Sequence, residues 1–495
     1  MMRLTFERLW LVIALALPAF VALVVPMPAV DLAYQVRAGN GILATGALPG
    51  VDTWTFTVAG TPWLDQQWLA QVALAIGQGA GGWELLAVIR AALVVGMTGG
   101  LLAVARARGA GVRTAAILSM VAFMLTAMAL ALRPQLFGID LLVLLLWLVA
   151  SRDRHPRLFL AGPLVIALWA NLHGTFVLGL VVLGYAWLED MAAHRPARTS
   201  LLVLAAGLAA TLVNPYGAGI WDYAVGIGSN PAITGLVSEW QRTSPLRMPG
   251  ALFYPSVVIG GLLLWRFRAR MTAPAWLLAG GMAALAMWTE RGVAWWALAL
   301  VFVLAGVLPG APGGALAGAP GGALAGARGG VLPGAPGGAL AADGTRAVRT
   351  PRASLVNGVM AAVLGLLVVA ALPWWRPADP LIGRSGLLSY APSGLAGFVR
   401  TISGGAGARV VVPQVWGSFF EWAAPDVPYF IDSRFELFPA TVWDDDLALS
   451  GPDAASVLDR WQATVLVLRP GDRVPVTGGW RQVYADADGV VLQRP

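Results

Sequence analysis

The sequence predicts an α-helical polytopic membrane protein, with about eleven transmembrane helices and a small C-terminal extracytoplasmic α/β domain. Three observations carry that prediction. The first is composition: 58% of the residues are hydrophobic and 12% charged, with a mean hydropathy of +0.71, against about 25% charged in soluble domains. The second is where the charge lies. All 33 basic residues are arginine, and they gather in short stretches between apolar segments. The third is a change after Trp374, beyond which acidic residues are frequent and no segment could span a bilayer.

Taken in order, apolar segments of spanning character run at roughly 9–28, 83–104, 114–132, 135–150, 157–171, 174–189, 199–213, 251–265, 272–289, 291–308 and 354–373. With the N-terminus in the cytoplasm, Arg3 and Arg8 lie inside. So do Arg106, Arg108 and Arg113; Arg152, Arg154 and Arg157; Arg195 and Arg198; Arg266, Arg268 and Arg270; and Arg346, Arg349 and Arg352. Every alternate connection is therefore arginine-rich, as the positive-inside bias requires. The opposite connections hold Asp31, Asp52, Asp65, Arg133, Asn171, His173, Asn214, Glu239 and Glu290. Only Arg3 and Arg8 precede the apolar start, and with so many spans following it an uncleaved first helix is expected rather than a signal peptide.

The expected division is a multi-span domain over 1–308, with a large first extracytoplasmic loop at 31–82. A cytoplasmic linker follows at 309–353, a last transmembrane helix at 354–373, and an extracytoplasmic α/β domain at 374–495. Residues 310–341 are four octads, GAPGGALA twice, then GARGGVLP and GAPGGALA. Such Gly/Pro/Ala repetition cannot bury a core and reads as a flexible linker. In the last domain, 409–413, 428–432, 464–468 and 489–493 read as strands, and 393–402 and 453–462 as helices.

Several function classes are excluded. The net charge of +7 does not indicate nucleic acid, because the arginine clusters are confined to single loops flanking apolar segments. Without cysteine there is neither a disulfide framework nor a thiolate metal site. No Walker motif, no GxGxxG after a strand and no HExxH is present.

Chemistry is expected in the stretch Asp31–Trp68, which is long, mildly acidic and rich in aromatics. Asp31 and Asp65 are its candidate carboxylates, able to act as a base or, together, to hold a divalent cation such as Mg or Mn. Each also reads as a helix cap. Asp52, in Gly50-Val51-Asp52-Thr53, reads as a turn former. Trp63 and Trp68 are the stretch's candidate substrate-binding aromatics. Asn171 and His173 interrupt an otherwise apolar run, and polar groups at membrane depth are candidates for function. Arg133 and Arg291 can offset a phosphate, with Glu239 and Glu290 beside them in charge. Arg90, inside the second span, either snorkels or faces a polar cavity. Asp432 and Arg434 follow a predicted strand, where ligands often bind.

These residues sit in pieces that resemble a family of polytopic bacterial membrane proteins of the GT-C glycosyltransferase superfamily. The pieces are Asp31, Gly39, Gly46, Pro49 and Asp52 with Phe56-Thr57, then Pro62-Trp63-Leu64-Asp65-Gln66-Gln67-Trp68-Leu69. Next come Arg133-Pro134-Gln135-Leu136-Phe137, Trp169-Ala170-Asn171-Leu172-His173-Gly174, Asn214-Pro215-Tyr216-Gly217 and Glu239-Trp240. In the last domain they are Trp416-Gly417-Ser418-Phe419-Phe420 and Phe430-Ile431-Asp432-Ser433-Arg434. The likeness covers nearly the whole chain except the octads. It departs at Tyr34 and Gln35, where Trp and His are expected.

The resemblance implies a GT-C-like fold and transfer of a sugar from a polyprenyl-phosphate donor to a glycan, lipid or protein acceptor outside the cytoplasm. It also implies an acidic general base in the first outer loop, at Asp31 or Asp65. The alternatives are a non-catalytic subunit of the same fold, a lipid or glycan transporter, and a glycan ligase or polymerase.

Overall fold

A computed structural model of the chain describes residues 4–309, 351–402, 407–472 and 479–494. The octads, on which the linker expectation rests, lie outside the described residues. Helix α1 (Phe6–Val24) starts at Thr5, whose hydroxyl accepts the Arg8 N–H at 3.3 Å. It stops short of residue 28 because Pro26 and Pro28 follow. Met27–Pro28 pairs instead, in parallel, with Leu388–Ser389 of the last domain.

The stretch expected as a loop from residue 31 is largely helical. Helix α2 (Ala29–Thr45) closes at Gly46, whose φ of 68° gives the left-handed cap that favours glycine. Irregular chain covers 46–67. Helix α3 (Trp68–Ala107) then begins well before the predicted span and is interrupted at Gly81 and Gly82, the latter at φ 64°. Beyond it lie α4 (Val112–Thr126) and α5 (Pro134–Ser151).

Helix α3 is the hub, with α1, α2, α4 and α5 all packed on it. At Gly39 a Cβ would lie 2.1 Å from the Gln71 carbonyl oxygen, so α2 and α3 meet backbone to backbone. Arg90 of α3 reaches neither lipid nor a cavity. Its guanidinium donates to the carbonyls of Ala22, Val25 and Pro26, and so caps the C-terminal end of α1.

Among the described residues, four helices are long and apolar enough to cross a membrane, and six more are apolar but shorter. Their outward faces carry exposed Leu164, Val258, Leu262, Leu277 and Leu366, the apolar belt that lipid would cover. At the arginine-rich end Arg152 bonds Glu189 and Asp190 at 2.8 Å each, and Arg195 bonds Asp153 at 2.9 Å. Glu189, Asp190 and Asp153 are therefore already paired.

The last domain holds a four-stranded sheet in the order Val410–Val411, Val465–Leu468, Gly489–Gln493, Arg481–Asp486. The first pair is parallel and the others antiparallel. Strand Arg481–Asp486 was not expected, because it is polar on both faces. Helices occupy Ser393–Ile402 and Ala454–Arg460, and further ones Gln414–Ala423 and Ala440–Ala448. The segment 428–432 contributes only Tyr429, which bridges Val410 on one side and Thr55 on the other. Tyr429 N–H donates to Trp54 O and Phe56 N–H to Tyr429 O, both at 3.0 Å. The 46–67 stretch thus extends the sheet of the last domain.

Arg434 locks that seam. Fully buried, it donates to Asp432 Oδ2 through Nε at 2.9 Å and through Nη2 at 2.5 Å, and to Asp52 Oδ1 at 2.7 Å. Its guanidinium lies 4.3 Å from the Trp54 ring centroid and 4.6 Å from that of Trp63. Asp52 also closes its own turn, accepting from Thr55 N–H at 3.1 Å and from the Thr55 hydroxyl at 2.7 Å. Replacing Arg434 by Met would leave two carboxylates buried without their cation, a loss of about 3–5 kcal/mol. Denaturant unfolding followed by tryptophan fluorescence should show this, together with faster proteolysis within 46–67. A loss under about 1 kcal/mol, as for an exposed pair, would contradict the assignment.

Candidate active site

The N-terminal turn of α2 places Asp31, Tyr34 and Gln35 on one helix face, at i, i+3 and i+4. Ser433 Oγ donates to Val30 O at 2.7 Å and holds the last domain over that turn. Opposite stands Arg133, the extended N-cap residue of α5, with Pro134 at the first helical position. Its Nη1 donates to Asp31 Oδ2 at 3.0 Å and its Nη2 to Glu239 Oε1. Glu239, in the short turn Ser238–Trp240, also accepts at Oε2 from Arg291 Nε at 3.1 Å and Nη2 at 2.9 Å. The result is a continuous alternating chain, Asp31–Arg133–Glu239–Arg291.

Electrostatics follow from this order. Burial works against ionisation of Glu239, but Arg133 and Arg291 more than offset it and hold the carboxyl at about 2. Burial likewise opposes the charge on Arg133, yet Glu239 and Asp31 leave its pKa above the ordinary value. His173 is pushed down to about 3, by burial first and then by Arg291 and Arg133, so it is neutral at pH 7. Its Nδ1 accepts the Thr175 N–H at 3.3 Å, which leaves the proton on Nε2.

Two cavities share the Arg133–Glu239–Arg291 part of this chain as their wall. One, of 320 Å³, is lined by Asp31, Tyr34, Gln35, Arg133, His173 and Glu239, with Gln414, Ser433, Phe435 and Glu436 entering from the last domain. The other, of 220 Å³, has Leu125, Met128, Ala129, Met248 and Pro249 in its lining, together with Arg247 and Glu290. Arg133, Gln135, Ser238, Glu239 and Arg291 line both. A third cavity, of 380 Å³, lies at the carboxyl ends of strands Val410–Val411 and Val465–Leu468, and none of the residues singled out from the sequence lines it.

Of those residues, the structure therefore brings together Asp31, Arg133, His173, Glu239 and Arg291. Six others lie elsewhere. Asp65 is buried outside the cavity and accepts from Gln71 Nε2 at 2.7 Å. Asn171 accepts from Trp68 Nε1 at 3.0 Å and donates to Ala167 O and Val213 O, tying the start of α3 to the helix Gly162–Leu172. Trp63, Asp432 and Arg434 belong to the buried seam. Asp65 is absent from the lining of the cavity that holds Asp31, and among the described residues no group of three or more His, Asp or Glu is arranged to hold a metal ion. Sequence reasoning missed Gln67, Gln135, Tyr223 and Glu436 as cavity residues. Gln135 lies two residues past Arg133 and Glu436 two past Arg434, and that proximity was the available signal.

No protein-family model matches the chain, and no curated protein does. Among solved structures it is similar to a crystal structure of the oligosaccharyltransferase of Archaeoglobus fulgidus tethered to an acceptor peptide. The identity is 10%, the TM-score 0.49, and the match covers 93% of this chain and 69% of that one. A likeness of that depth assigns no activity.

Asp65 gives a pH test of these assignments. Burial raises its carboxyl from 3.8 to about 7. The folded chain therefore holds the proton more tightly than the unfolded one, and stability falls as pH rises from about 4 to about 7, then stays lowered. Asp65→Asn cannot ionise and escapes that loss. Its melting temperature should exceed that of the unmodified protein at pH 8 and converge with it near pH 4. The difference is worth up to roughly 1.4 kcal/mol per unit of raised pKa. A variant less stable at pH 8 would mean that Asp65 is held as a partnered carboxylate.

Proposed function

We propose that this protein is a membrane glycosyltransferase that moves a sugar from a polyprenyl-phosphate donor to an acceptor outside the cytoplasm, with Asp31 as general base. The observation that carries the reading is the alternating ion chain standing between two cavities, one reached past Leu125, Met128 and Met248 and the other roofed by the last domain. The family resemblance of the sequence points the same way.

The two cavities suit the two halves of the reaction. A lipid-linked phosphate reaches the wall from the side of Leu125, Met128 and Met248, and meets Arg133 and Arg291. Glu239 holds these two guanidiniums side by side, which their mutual repulsion would otherwise oppose. The acceptor, a glycan, lipid or protein, arrives on the side of Tyr34, Ser433 and Glu436. The acceptor oxygen bonds the anomeric carbon while the bond from that carbon to the phosphate oxygen breaks, and the polyprenyl phosphate keeps the electron pair. The leaving phosphate needs no proton, only compensation of its charge. The acceptor's proton passes to Asp31, whose Oδ2 is held by Arg133 and whose Oδ1 is left for that task. Neutral His173 adds a hydrogen-bond donor to this wall without adding charge.

Such a site belongs on the extracytoplasmic face, with the arginine-rich connections in the cytoplasm. The protein purified into nanodiscs and supplied with polyprenyl-phosphate-linked radiolabelled sugars should transfer label to an envelope acceptor. Asp31→Asn should lower turnover by about 10²–10⁴-fold with membrane insertion intact. Undiminished turnover in that variant removes Asp31 as the base.

A further inference from the structure

Gln135 stands in the wall shared by the two cavities, at the second residue of α5 and two places after Arg133. It is 1% exposed, yet neither Nε2 nor Oε1 has a hydrogen-bond partner. A buried amide with both ends unmet is costly to fold around and calls for a partner. The helix beneath it is 18 residues long, and its positive end faces the same wall. That end, the amide donor and Arg133 together present an anion with three kinds of attraction within one turn of chain.

Resting on the glycosyltransferase reading, we propose that Gln135 binds the donor directly at the junction of its phosphate and its sugar. Nε2 donates to a phosphate oxygen on the side of the cavity that Leu125, Met128 and Met248 line, and Oε1 accepts from a sugar hydroxyl on the side roofed by the last domain. The ligand class is thus a phosphate diester whose two substituents lie in different cavities, and the monoester that lacks the sugar keeps the phosphate contact alone. A hydrocarbon chain fits the Leu125–Met128 side and a polyol fits the Tyr34–Glu436 side. An amide suits this position better than another arginine, because it can donate and accept without changing the neutral balance of the ion chain.

The test separates a binding role from a structural one by opposite signs. Undecaprenyl phosphate is titrated against the full-length protein in nanodiscs, with inorganic phosphate and undecaprenol as controls, and the melting temperature is read without ligand. Gln135→Leu keeps the volume and removes both unmet groups. It should melt at or above the unmodified protein while binding undecaprenyl phosphate at least ten-fold more weakly. Inorganic phosphate should bind far more weakly than the lipid, and undecaprenol not measurably. Gln135→Met, of similar volume, serves if the leucine variant does not fold. Unchanged binding in a folded variant overturns the role of Gln135 while leaving the parent reading in place. If the unmodified protein binds undecaprenyl phosphate no better than undecaprenol, the parent reading fails and this inference with it.

Discussion

Arg434, buried between Asp52 and Asp432 and sandwiched by Trp54 and Trp63, is the contact on which the rest of the molecule depends. It joins two stretches separated by 382 residues and fixes where the last domain sits on the first irregular stretch. Ser433, Phe435 and Glu436 flank it in sequence and line the cavity, so the roof of that cavity is set by the same contact. A buried ion triad is a poor source of net stability but a specific one, since only one arrangement satisfies both carboxylates. The aromatic rings shield it from water, and the Thr55–Tyr429–Val410 bridges extend the sheet through it.

Beneath this seam the charge is organised differently. The chain Asp31–Arg133–Glu239–Arg291 is only partly shielded, with side-chain exposures of 34%, 14%, 31% and 22%. Its members are balanced in sign and reachable from two cavities. This chain leaves Asp31 Oδ1 and both ends of Gln135 without partners beside a cavity, whereas the buried triad pairs both its carboxylates and leaves Arg434 Nη1 unmet. The two ion groups thus differ in their access to a cavity rather than in the residue types involved.

That distinction explains what the sequence did and did not reveal. The apolar helices were legible because hydropathy over some twenty residues is a local property. Helix α2 was legible only through Asp31 as a helix cap, because AVDLAYQVRAGNGILAT mixes charge, glycine and asparagine rather than showing a clean apolar stripe. Asp31, Arg133, Glu239 and Arg291 were each recognisable as polar groups beside apolar segments, but their convergence is tertiary. Asp65, Trp63, Asp432 and Arg434 attracted attention for the same local reasons, and the fold spends them on a buried seam and a helix contact. Acids, arginine and tryptophan suit a desolvated interdomain junction as well as they suit a sugar site.

The central claim, that a lipid-linked phosphate meets the Arg133–Arg291 wall from the side of Leu125, Met128 and Met248, is tested most directly by photolabelling. A polyprenyl phosphate with a photoreactive group next to its phosphate would be irradiated with the full-length protein in nanodiscs, and the labelled peptides mapped. The account predicts saturable labelling within 125–135 and 238–249, the stretches that line the cavity on that side, displaced by unlabelled undecaprenyl phosphate. Labelling that does not saturate, or that falls on 411–415 and 466–472 at the outer domain's own crevice, would contradict it.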